Sequence, residues 1–336
     1  MARSRCLKVP KGRAQAARTA LAALGLLRND LRPGRDQYSV FLPIRNGNYE
    51  GEGCVCEHDF EENPVKPASY RDIIRVPAAV RNALPRAYDV IGKVIVIKIP
   101  DGLLDRRHEI GRALLEARPE ARSVARDSGV SGEDRVRRLE VIAGEPDLET
   151  VHMEHGLRFE LDPSRVFFSP RLATERARVA ALVGRDETVL DMFAGVGPFS
   201  IHIARRARPS VVVAADNNPA AVEYLRRNIR LNRASNVEPL LTDARELPGK
   251  VPPVDRIVMN LPHSAFGFLP VALKLLGPGG TIHLYDIIGR EGKPARMAEL
   301  ERAVEAAGRK LGRKDLRLVR GYSAASSNYV FDLSFD

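Results

Sequence analysis

The stretch Val189-Leu-Asp-Met-Phe-Ala-Gly-Val-Gly-Pro-Phe-Ser-Ile201 decides the fold of this chain. An apolar run ends in an acid, a turn with two glycines follows, and a helix is predicted to begin at Pro198. Gly195 and Gly197 allow a tight turn and the close approach of a ligand that a Cβ atom would push away. A second apolar run, Val211-Val-Val-Ala-Ala-Asp216, again ends in an acid, which can accept hydrogen bonds from two ribose hydroxyls. The pattern predicts a nucleoside-binding α/β domain.

The glycine turn differs from the fingerprint of a dinucleotide-binding fold. A G-x-G-x-x-G pattern would have its third glycine at Ser200, and Pro198 removes an amide that a phosphate would use. Asp191 is expected to put a carboxylate at the mouth of the turn, which disfavours a pyrophosphate. A carboxylate suits a cationic ligand such as the sulfonium of S-adenosylmethionine. On this stretch alone, an ordinary buried turn is the alternative.

Composition and charge narrow the class of protein. The 336 residues carry a formal net charge of +10, which favours a polyanionic partner, although a generally arginine-rich surface would also explain it. Three cysteines form no even disulfide framework, and Cys54-Val-Cys56 lacks a second pair for a tetrahedral metal site. We therefore expect no metal and a reducing, cytoplasmic setting. No apolar run approaches the length of a membrane span, so no membrane partner is expected.

The chain separates into three predicted domains. Residues 1–62 are interpreted as a small α/β unit, followed by a linker with two prolines. Residues 63–162 are a second α/β domain that ends in a hairpin around Gly156. Residues 163–336 alternate strand and helix.

Alternation in the third domain predicts a parallel, doubly wound sheet with right-handed crossovers. The last two strands are separated by a short turn and add an antiparallel edge. This order is typical of the seven-stranded class I (Rossmann-like) S-adenosylmethionine-dependent methyltransferase sheet, here with two smaller α/β domains before it. The predicted strands are residues 189–193, 211–216, 237–243, 256–261, 281–287, 316–320 and 329–335.

Polar residues are expected at the carboxyl ends of these strands, where open α/β sheets bind ligands. Asp243 can accept from the exocyclic amine of an adenine, or it can be the N-cap of the next segment. Asn260-Leu-Pro-His263 presents an amide oxygen and a rigidified backbone carbonyl. Two acceptors on one edge can grip the N–H groups of a nucleobase.

Five stretches carry a resemblance to a known family. Residues 191–200, 216–219, 243–246 and 259–262, together with Phe168-Ser-Pro-Arg-Leu-Ala-Thr-Glu-Arg176, resemble the archaeal and eukaryotic tRNA (guanine-37 N1)-methyltransferases, in the archaeal three-domain form. The resemblance covers the whole chain and implies tRNA as the partner, with the first domain on the outer corner of the tRNA. It implies S-adenosylmethionine as the cofactor, held by Asp191, Phe193, Gly195, Gly197, Asp216, Asn217, Asp243 and Asn260.

Methylation of guanine N1 needs a general base, because N1 carries a proton at neutral pH and negative charge then develops toward O6. The resemblance assigns the base to Glu175 and an O6-stabilising guanidinium to Arg135, while Asn260 and the Leu261–Pro262 backbone orient the guanine. Without the family, Glu175 would be interpreted as a helix-surface acid and Arg135 as one arginine among many. We expect a monomeric enzyme that produces 1-methylguanosine 37.

Other functions are also compatible with the sequence. A wybutosine-pathway enzyme would transfer the aminocarboxypropyl arm of the cofactor, or a methyl group to carbon 7 of a tricyclic guanosine derivative. Members that transfer the arm lack Asn-Leu-Pro, so Asn260 and Pro262 favour methyl transfer. Amino-group methyltransferases typically carry Asn-Pro-Pro-Tyr, whereas this chain has Leu261 and His263. A tRNA-binding protein without activity is disfavoured by the intact strand-end acids.

One residue differs from the family's usual pattern: Phe167 replaces a tyrosine that is frequent in the family.

Overall fold

The computed structural model describes residues 2–46, 49, 51–62, 69–131, 136–289, 291–323 and 325–336. The chain divides into two compact units, Met1–Asp72 and Ile73–Asp336. The boundary predicted after residue 162 lies inside the second unit and stays a prediction.

The first unit is a four-stranded antiparallel sheet with one helix. Its elements are β1 (Ala2–Pro10), α1 (Ala14–Ala23), β2 (Gly34–Arg35), β3 (Ser39–Pro43) and β4 (Cys54–Phe60), and the short helix α2 (Tyr70–Ile73) lies at its end. The strand order is β2-β3-β1-β4. Leu21 of α1 packs with Leu7, Val9 and Leu42 of the sheet to form the core. The strand expected at Cys54–Cys56 belongs to β4.

The second unit begins with a mixed sheet and a hairpin. The elements are α3 (Ala78–Ala83), β5 (Tyr88–Ile91), β6 (Val94–Ile97), α4 (Arg107–Ala117), β7 (Ser123–Ser131), β8 (Val136–Gly144), β9 (Thr150–Glu154) and β10 (Leu157–Leu161). In the sheet β5-β6-β7-β8, only β6 and β7 are parallel. The hairpin predicted around Gly156 is confirmed, and positive φ angles at His155 (+49°) and Gly156 (+82°) allow its two-residue turn.

The rest of the second unit is the predicted doubly wound sheet. Its elements are α5 (Ala173–Leu182), β11 (Thr188–Asp191), α6 (Pro198–Arg206), β12 (Val211–Asp216), α7 (Pro219–Asn232), β13 (Val237–Leu241), β14 (Val254–Met259), α8 (Leu269–Leu275), β15 (Leu276–Gly289), α9 (Lys293–Ala306), β16 (Leu311–Gly321) and β17 (Ser326–Phe335). The strand order is β13-β12-β11-β14-β15-β17-β16, and β17 is antiparallel to both of its neighbours. The predicted methyltransferase sheet is confirmed.

Both faces of this sheet are covered, which explains why its strands are continuous apolar runs. Val189 and Val212 pack into the core on one face, and Leu190 and Val213 pack into the core on the other. The strands β11, β13 and β14 each end two residues earlier than predicted. Their last predicted residues instead leave the sheet at its carboxyl edge, where the candidate site lies.

Candidate active site

Two glycines shape the turn between β11 and α6. Gly195 (φ +55°) and Gly197 (φ +88°) both have left-handed backbone, and Gly197 is the N-cap of α6. A Cβ atom at Gly197 would lie 2.4 Å from Cδ1 of Leu225, whereas one at Gly195 would meet only the Phe167 carbonyl oxygen, at 3.8 Å. Packing and backbone both require Gly197. Gly195 instead borders open space that a ligand can enter.

Asp216, at the end of β12, ties that strand to the glycine turn. Its Oδ2 accepts from the Gly195 amide at 2.7 Å, and its Oδ1 accepts from the Asn218 amide at 2.9 Å. A carboxylate oxygen can accept more than one hydrogen bond, so these contacts are compatible with ribose hydroxyls. Asn217 is exposed beside it. Asn218, which the sequence analysis did not single out, caps α7 by accepting from the Ala220 amide; an Asn directly before a helix-starting proline signals that role.

Asp191, the last residue of β11, is buried, whereas the sequence predicted a carboxylate at the mouth of the turn. The residue is 1% exposed, and its Oδ2 accepts from the Ser200 hydroxyl at 2.7 Å. Its Oδ1 is buried without a hydrogen-bond partner among the described residues. Burial raises the pKa of Asp191 to about 7, against the opposing effect of the Ser200 hydrogen bond. A cation brought to the turn would therefore favour the ionised form of this acid.

Phe193 and Asp243 flank the next part of the edge. The Phe193 ring is half-buried and meets the Phe268 ring edge to face, with centroids 5.1 Å apart. Asp243 is the N-cap of the short 3-10 helix Ala244–Glu246, where it accepts from the Arg245 amide at 2.7 Å and from its guanidinium at 2.9 Å. The N-cap alternative is thus confirmed. A contact with an adenine amine would share this carboxylate with Arg245.

Asn260 follows β14, and its side-chain oxygen differs from the two backbone carbonyls after it in its hydrogen bonds. Its Oδ1 is buried without a hydrogen-bond partner among the described residues. The Leu261 carbonyl accepts from the amides of Ser264 (2.8 Å) and Ala265 (2.7 Å), and the Pro262 carbonyl accepts from the Ile287 amide (3.0 Å). Both carbonyls therefore help to hold the local fold together, and their contact with a nucleobase stays a prediction. The Asn260 amide oxygen remains as the open acceptor.

Glu175, in the first turn of α5, is 9% exposed, so its interpretation as a helix-surface acid is wrong. Its Oε1 accepts from the Tyr285 hydroxyl at 2.7 Å and from Nη2 of Arg178 at 2.6 Å. Its Oε2 accepts from Nε of Arg178 at 2.9 Å. Burial, together with the Glu175 carboxylate, raises the pKa of Tyr285 well above its ordinary value, so the phenol is the donor. Neither partner was predicted from the sequence, although the spacing of Arg178 from Glu175 suits a helical ion pair.

The contacts of Glu175 continue into a buried chain of polar groups. Nη1 of Arg178 donates to Oδ2 of Asp332 at 2.8 Å, and Nδ1 of His283 lies 2.5 Å from Oδ1 of Asp332. On its other side, Nε2 of His283 lies 2.8 Å from Nη1 of Arg256. A guanidinium can only donate, so Nε2 accepts and the ring is neutral with its proton on Nδ1. Burial lowers the pKa of His283, in agreement with a neutral ring.

An arginine cluster surrounds Asp89 at the end of the mixed sheet. Oδ2 of Asp89 accepts from Arg137 at 3.0 Å, and its Oδ1 accepts from Arg171 at 2.7 Å. Arg320 has a buried Nε without a hydrogen-bond partner among the described residues, and burial followed by repulsion from Arg171 lowers its pKa. Arg137 also lies 4.0 Å from Oδ2 of Asp127, so three guanidinium groups face two carboxylates and the cluster carries net positive charge. Arg135, the expected O6-stabilising residue, lies outside the described residues.

Neither a metal site nor a membrane-spanning helix is found in the described part of the chain. There, no three His, Cys, Asp or Glu side chains are grouped so that they could hold a metal ion. No described helix combines the length and the apolar character needed to cross a membrane.

Comparison with known proteins finds three matching families along the chain. Residues 150–312 match the TRM5/TYW2 methyltransferase domain, residues 70–147 the TYW2 N-terminal domain, and residues 6–51 the tRNA methyltransferase 5 N-terminal domain. The tRNA (guanine(37)-N(1))-methyltransferase Trm5b of Pyrococcus abyssi is 41% identical over 331 residues, 97% of each chain. A tRNA(Phe) (4-demethylwyosine(37)-C(7)) aminocarboxypropyltransferase of Methanocaldococcus jannaschii is 31% identical over 74% of this chain and 98% of its own.

Solved structures of similar proteins agree with these matches. The crystal structure of Trm5b from Pyrococcus abyssi has a TM-score of 0.78 at 37% identity and covers 99% of each chain. A complex of aTrm5 with tRNALeu has a TM-score of 0.73 at 31% identity and covers 98% of this chain and 99% of its own.

Proposed function

The chain belongs to the TRM5/TYW2 methyltransferase family, and from this premise we propose that it transfers a methyl group from S-adenosylmethionine to N1 of guanosine 37 in tRNA, next to the anticodon. The observation that carries the proposal is the buried amide oxygen of Asn260 at the carboxyl end of β14, which has no hydrogen-bond partner in the described part of the chain. That strand lies directly beside β11, which leads into the glycine turn. An acceptor suited to a nucleobase and the glycine turn suited to a nucleoside therefore lie at the same edge of the sheet.

The cofactor is S-adenosylmethionine, and we assign its site to the ends of β11, β12 and β13. When bound, it supplies an electrophilic methyl group on a sulfonium. Asp216 is suited to the ribose hydroxyls, and the open space at Gly195 admits the ligand backbone. Asp191 is buried, and one of its oxygens has no hydrogen-bond partner among the described residues. Its carboxylate favours a positively charged ligand at the turn. The remaining assigned residues are Phe193, Gly197, Asn217, Asp243 and Asn260.

Guanine recognition and proton removal are assigned to neighbouring residues. Met259 pairs with Leu284 between β14 and β15, so Asn260 and Tyr285 follow at the same level of the sheet. The Tyr285 hydroxyl donates to Glu175, which supports our assignment of the candidate base and the candidate acceptor to one corner of the site. Asn260 accepts an N–H of the guanine, and Glu175 takes the N1 proton. We assign stabilisation of O6 to Arg135, and further contact with the base to Pro262.

The partner is tRNA, and charge supports its binding. The formal net charge of +10 and the arginine cluster around Asp89 provide cations for phosphates, which supply affinity independently of sequence. We assign residues 1–62 to the outer corner of the tRNA, residues 63–162 to the tRNA and the active site, and residues 163–336 to catalysis. An isolated anticodon stem-loop should then bind more weakly than full tRNA, and equal affinity would contradict the assignment of residues 1–62.

We also propose that the enzyme works as a monomer, and that it lies in the cytoplasm, where its three cysteines stay free thiols. Light scattering of the protein, free and with tRNA, tests the oligomeric state. A stable dimer in both samples would contradict the monomer.

Labelled cofactor and tRNA transcripts that differ only at position 37 test the proposed function. Guanosine 37 should be methylated and adenosine 37 should not, and equal methylation of both would overturn the guanine assignment. Replacement of the general base, Glu175→Gln, should lower the single-turnover rate by about 10²–10⁴-fold while tRNA affinity is retained. Glu301→Gln on the exposed face of α9 is a matched control, since it removes a carboxylate that contacts only a lysine.

A further inference from the structure

The two oxygens of Glu175 are not equivalent. Oε1 already accepts two hydrogen bonds, from the Tyr285 hydroxyl and from Nη2 of Arg178. Oε2 accepts one, from Nε of Arg178. A carboxylate oxygen has two lone pairs in the carboxylate plane, so Oε2 is the atom with room for a proton.

Protonation of Glu175 would change the charge balance around Arg178. The Arg178 side chain is only 15% exposed, and its guanidinium lies between the carboxylates of Glu175 and Asp332. If Glu175 were its sole counter-ion, neutralising that acid would leave a buried cation unpaired, which is strongly unfavourable. Asp332 contacts the opposite side of the guanidinium and stays ionised, because its hydrogen bonds to His283 and Arg178 outweigh burial and lower its pKa.

Asp332 is in turn held in place by a fixed neighbour. The neutral His283 ring donates from Nδ1 to Oδ1 of Asp332, and Arg256 sets this tautomer through Nε2. Oδ2 of Asp332 is thereby left to face Arg178. The ionisable groups around Glu175 thus come from four elements: Arg178 on α5, Tyr285 and His283 on β15, Asp332 on β17 and Arg256 on β14.

We propose that Asp332 and Tyr285 are positioning residues for the general base, and that they set its proton affinity in opposite directions through Arg178 and through Oε1. The inference rests on the proposed role of Glu175. In the step concerned, the N1–H bond of guanine breaks, its electron pair stays on the ring, and the proton passes to Oε2 of Glu175. Asp332 keeps the Arg178 guanidinium paired while Glu175 is neutral. Tyr285 stabilises the ionised carboxylate before the step.

The pH dependence of the single-turnover rate tests the inference, with full-length protein and a guanosine-37 transcript. In Asp332→Asn, the charge of Arg178 acts on Glu175 alone, so protonation becomes harder and the acidic limb of the profile moves to lower pH, with about a tenfold lower plateau rate. In Tyr285→Phe, the ionised carboxylate loses a donor, so the limb moves to higher pH. Affinities for tRNA and S-adenosylmethionine should stay unchanged in both variants.

Opposite shifts are the signature that a merely structural role would not produce. Limbs that stay in place, or that move in the same direction, would overturn the inference. Glu301→Gln on α9 is the control, because its partly exposed carboxylate pairs with Lys314 outside this chain of polar groups and should not move the limb. If Asp332→Asn fails to fold, Tyr285→Phe decides alone, since an unmoved limb there contradicts the proposal.

Glu175→Gln separates this inference from the proposed function. If that variant keeps the wild-type rate, the assignment of the base itself is wrong. If it loses the rate while the limbs of Asp332→Asn and Tyr285→Phe stay in place, only the positioning roles are wrong.

Discussion

Alanine at Gly195 and alanine at Gly197 should harm the protein in different ways, although the two glycines are two residues apart. Both have left-handed backbone, which costs an alanine about 1–2 kcal/mol. At Gly197 the new Cβ would also lie 2.4 Å from Cδ1 of Leu225, far inside van der Waals contact. Overpacking of this kind adds about 1–3 kcal/mol. We therefore expect Gly197→Ala to lower the free energy of unfolding by about 2–5 kcal/mol and Gly195→Ala by about 1–2 kcal/mol.

Cofactor binding should rank the two variants in the opposite order. A Cβ atom at Gly195 projects into open space, where the assigned S-adenosylmethionine site lies. Gly195→Ala should weaken cofactor binding about tenfold or more, equivalent to about 1.4 kcal/mol. Gly197→Ala should bind more nearly like the wild type at temperatures where it is folded, because its Cβ faces Leu225 inside the protein.

Urea unfolding and isothermal titration with S-adenosylmethionine, run on both variants, provide the two measurements. Equal losses of stability would refute the packing argument at Gly197. Wild-type cofactor affinity in Gly195→Ala would refute the placement of the cofactor against the glycine turn.

Three further predictions concern other parts of the site and the buried histidines. Asp216→Asn should weaken cofactor binding, because an amide has one acceptor oxygen where the carboxylate has two, for the ribose hydroxyls and for the Gly195 amide. Unchanged cofactor affinity in calorimetry would contradict this. Asn260→Ala should lower the single-turnover rate by about 10²-fold, comparable to the loss of one fixed hydrogen-bonding group, while cofactor affinity falls far less. Burial lowers the pKa of His152, His202 and His283 below the ordinary 6.5, so the unfolded chain binds more protons than the folded one at mildly acidic pH. The free energy of unfolding should therefore keep its full value above pH 6.5 and fall as the pH drops below it, by up to about 1.4 kcal/mol per pH unit for each histidine. A constant free energy of unfolding between pH 7 and pH 5 would contradict this.

The sheet could be predicted from the sequence because its rules are local. A parallel strand buried on both faces is an apolar run, and Asp191 and Asp216 mark the ends of two such runs. The glycine turn likewise follows from residues that are adjacent in the chain. Even so, the sequence could not show that packing against Leu225 requires a glycine at position 197, because Leu225 belongs to α7 and not to the helix that Gly197 begins.

The environment of the candidate base could not be predicted, because its partners are distant in sequence. Glu175 and Arg178 resemble surface residues of a charged helix, yet they are buried against Tyr285 and Asp332, more than 100 residues away. For the same reason the sequence could not show that the Pro262 carbonyl accepts from the Ile287 amide of β15. Tertiary hydrogen bonds of this kind leave no local pattern.

We propose that the enzyme transfers a methyl group to N1 of guanosine 37 and does not transfer the aminocarboxypropyl arm of the cofactor. The most direct test incubates tRNA with S-adenosylmethionine labelled either in the methyl group or in the carboxyl group, and then identifies the modified nucleoside by mass spectrometry. We expect label from the methyl group only, in 1-methylguanosine at position 37. Carboxyl label in the tRNA, or a methyl group on any other atom, would contradict it.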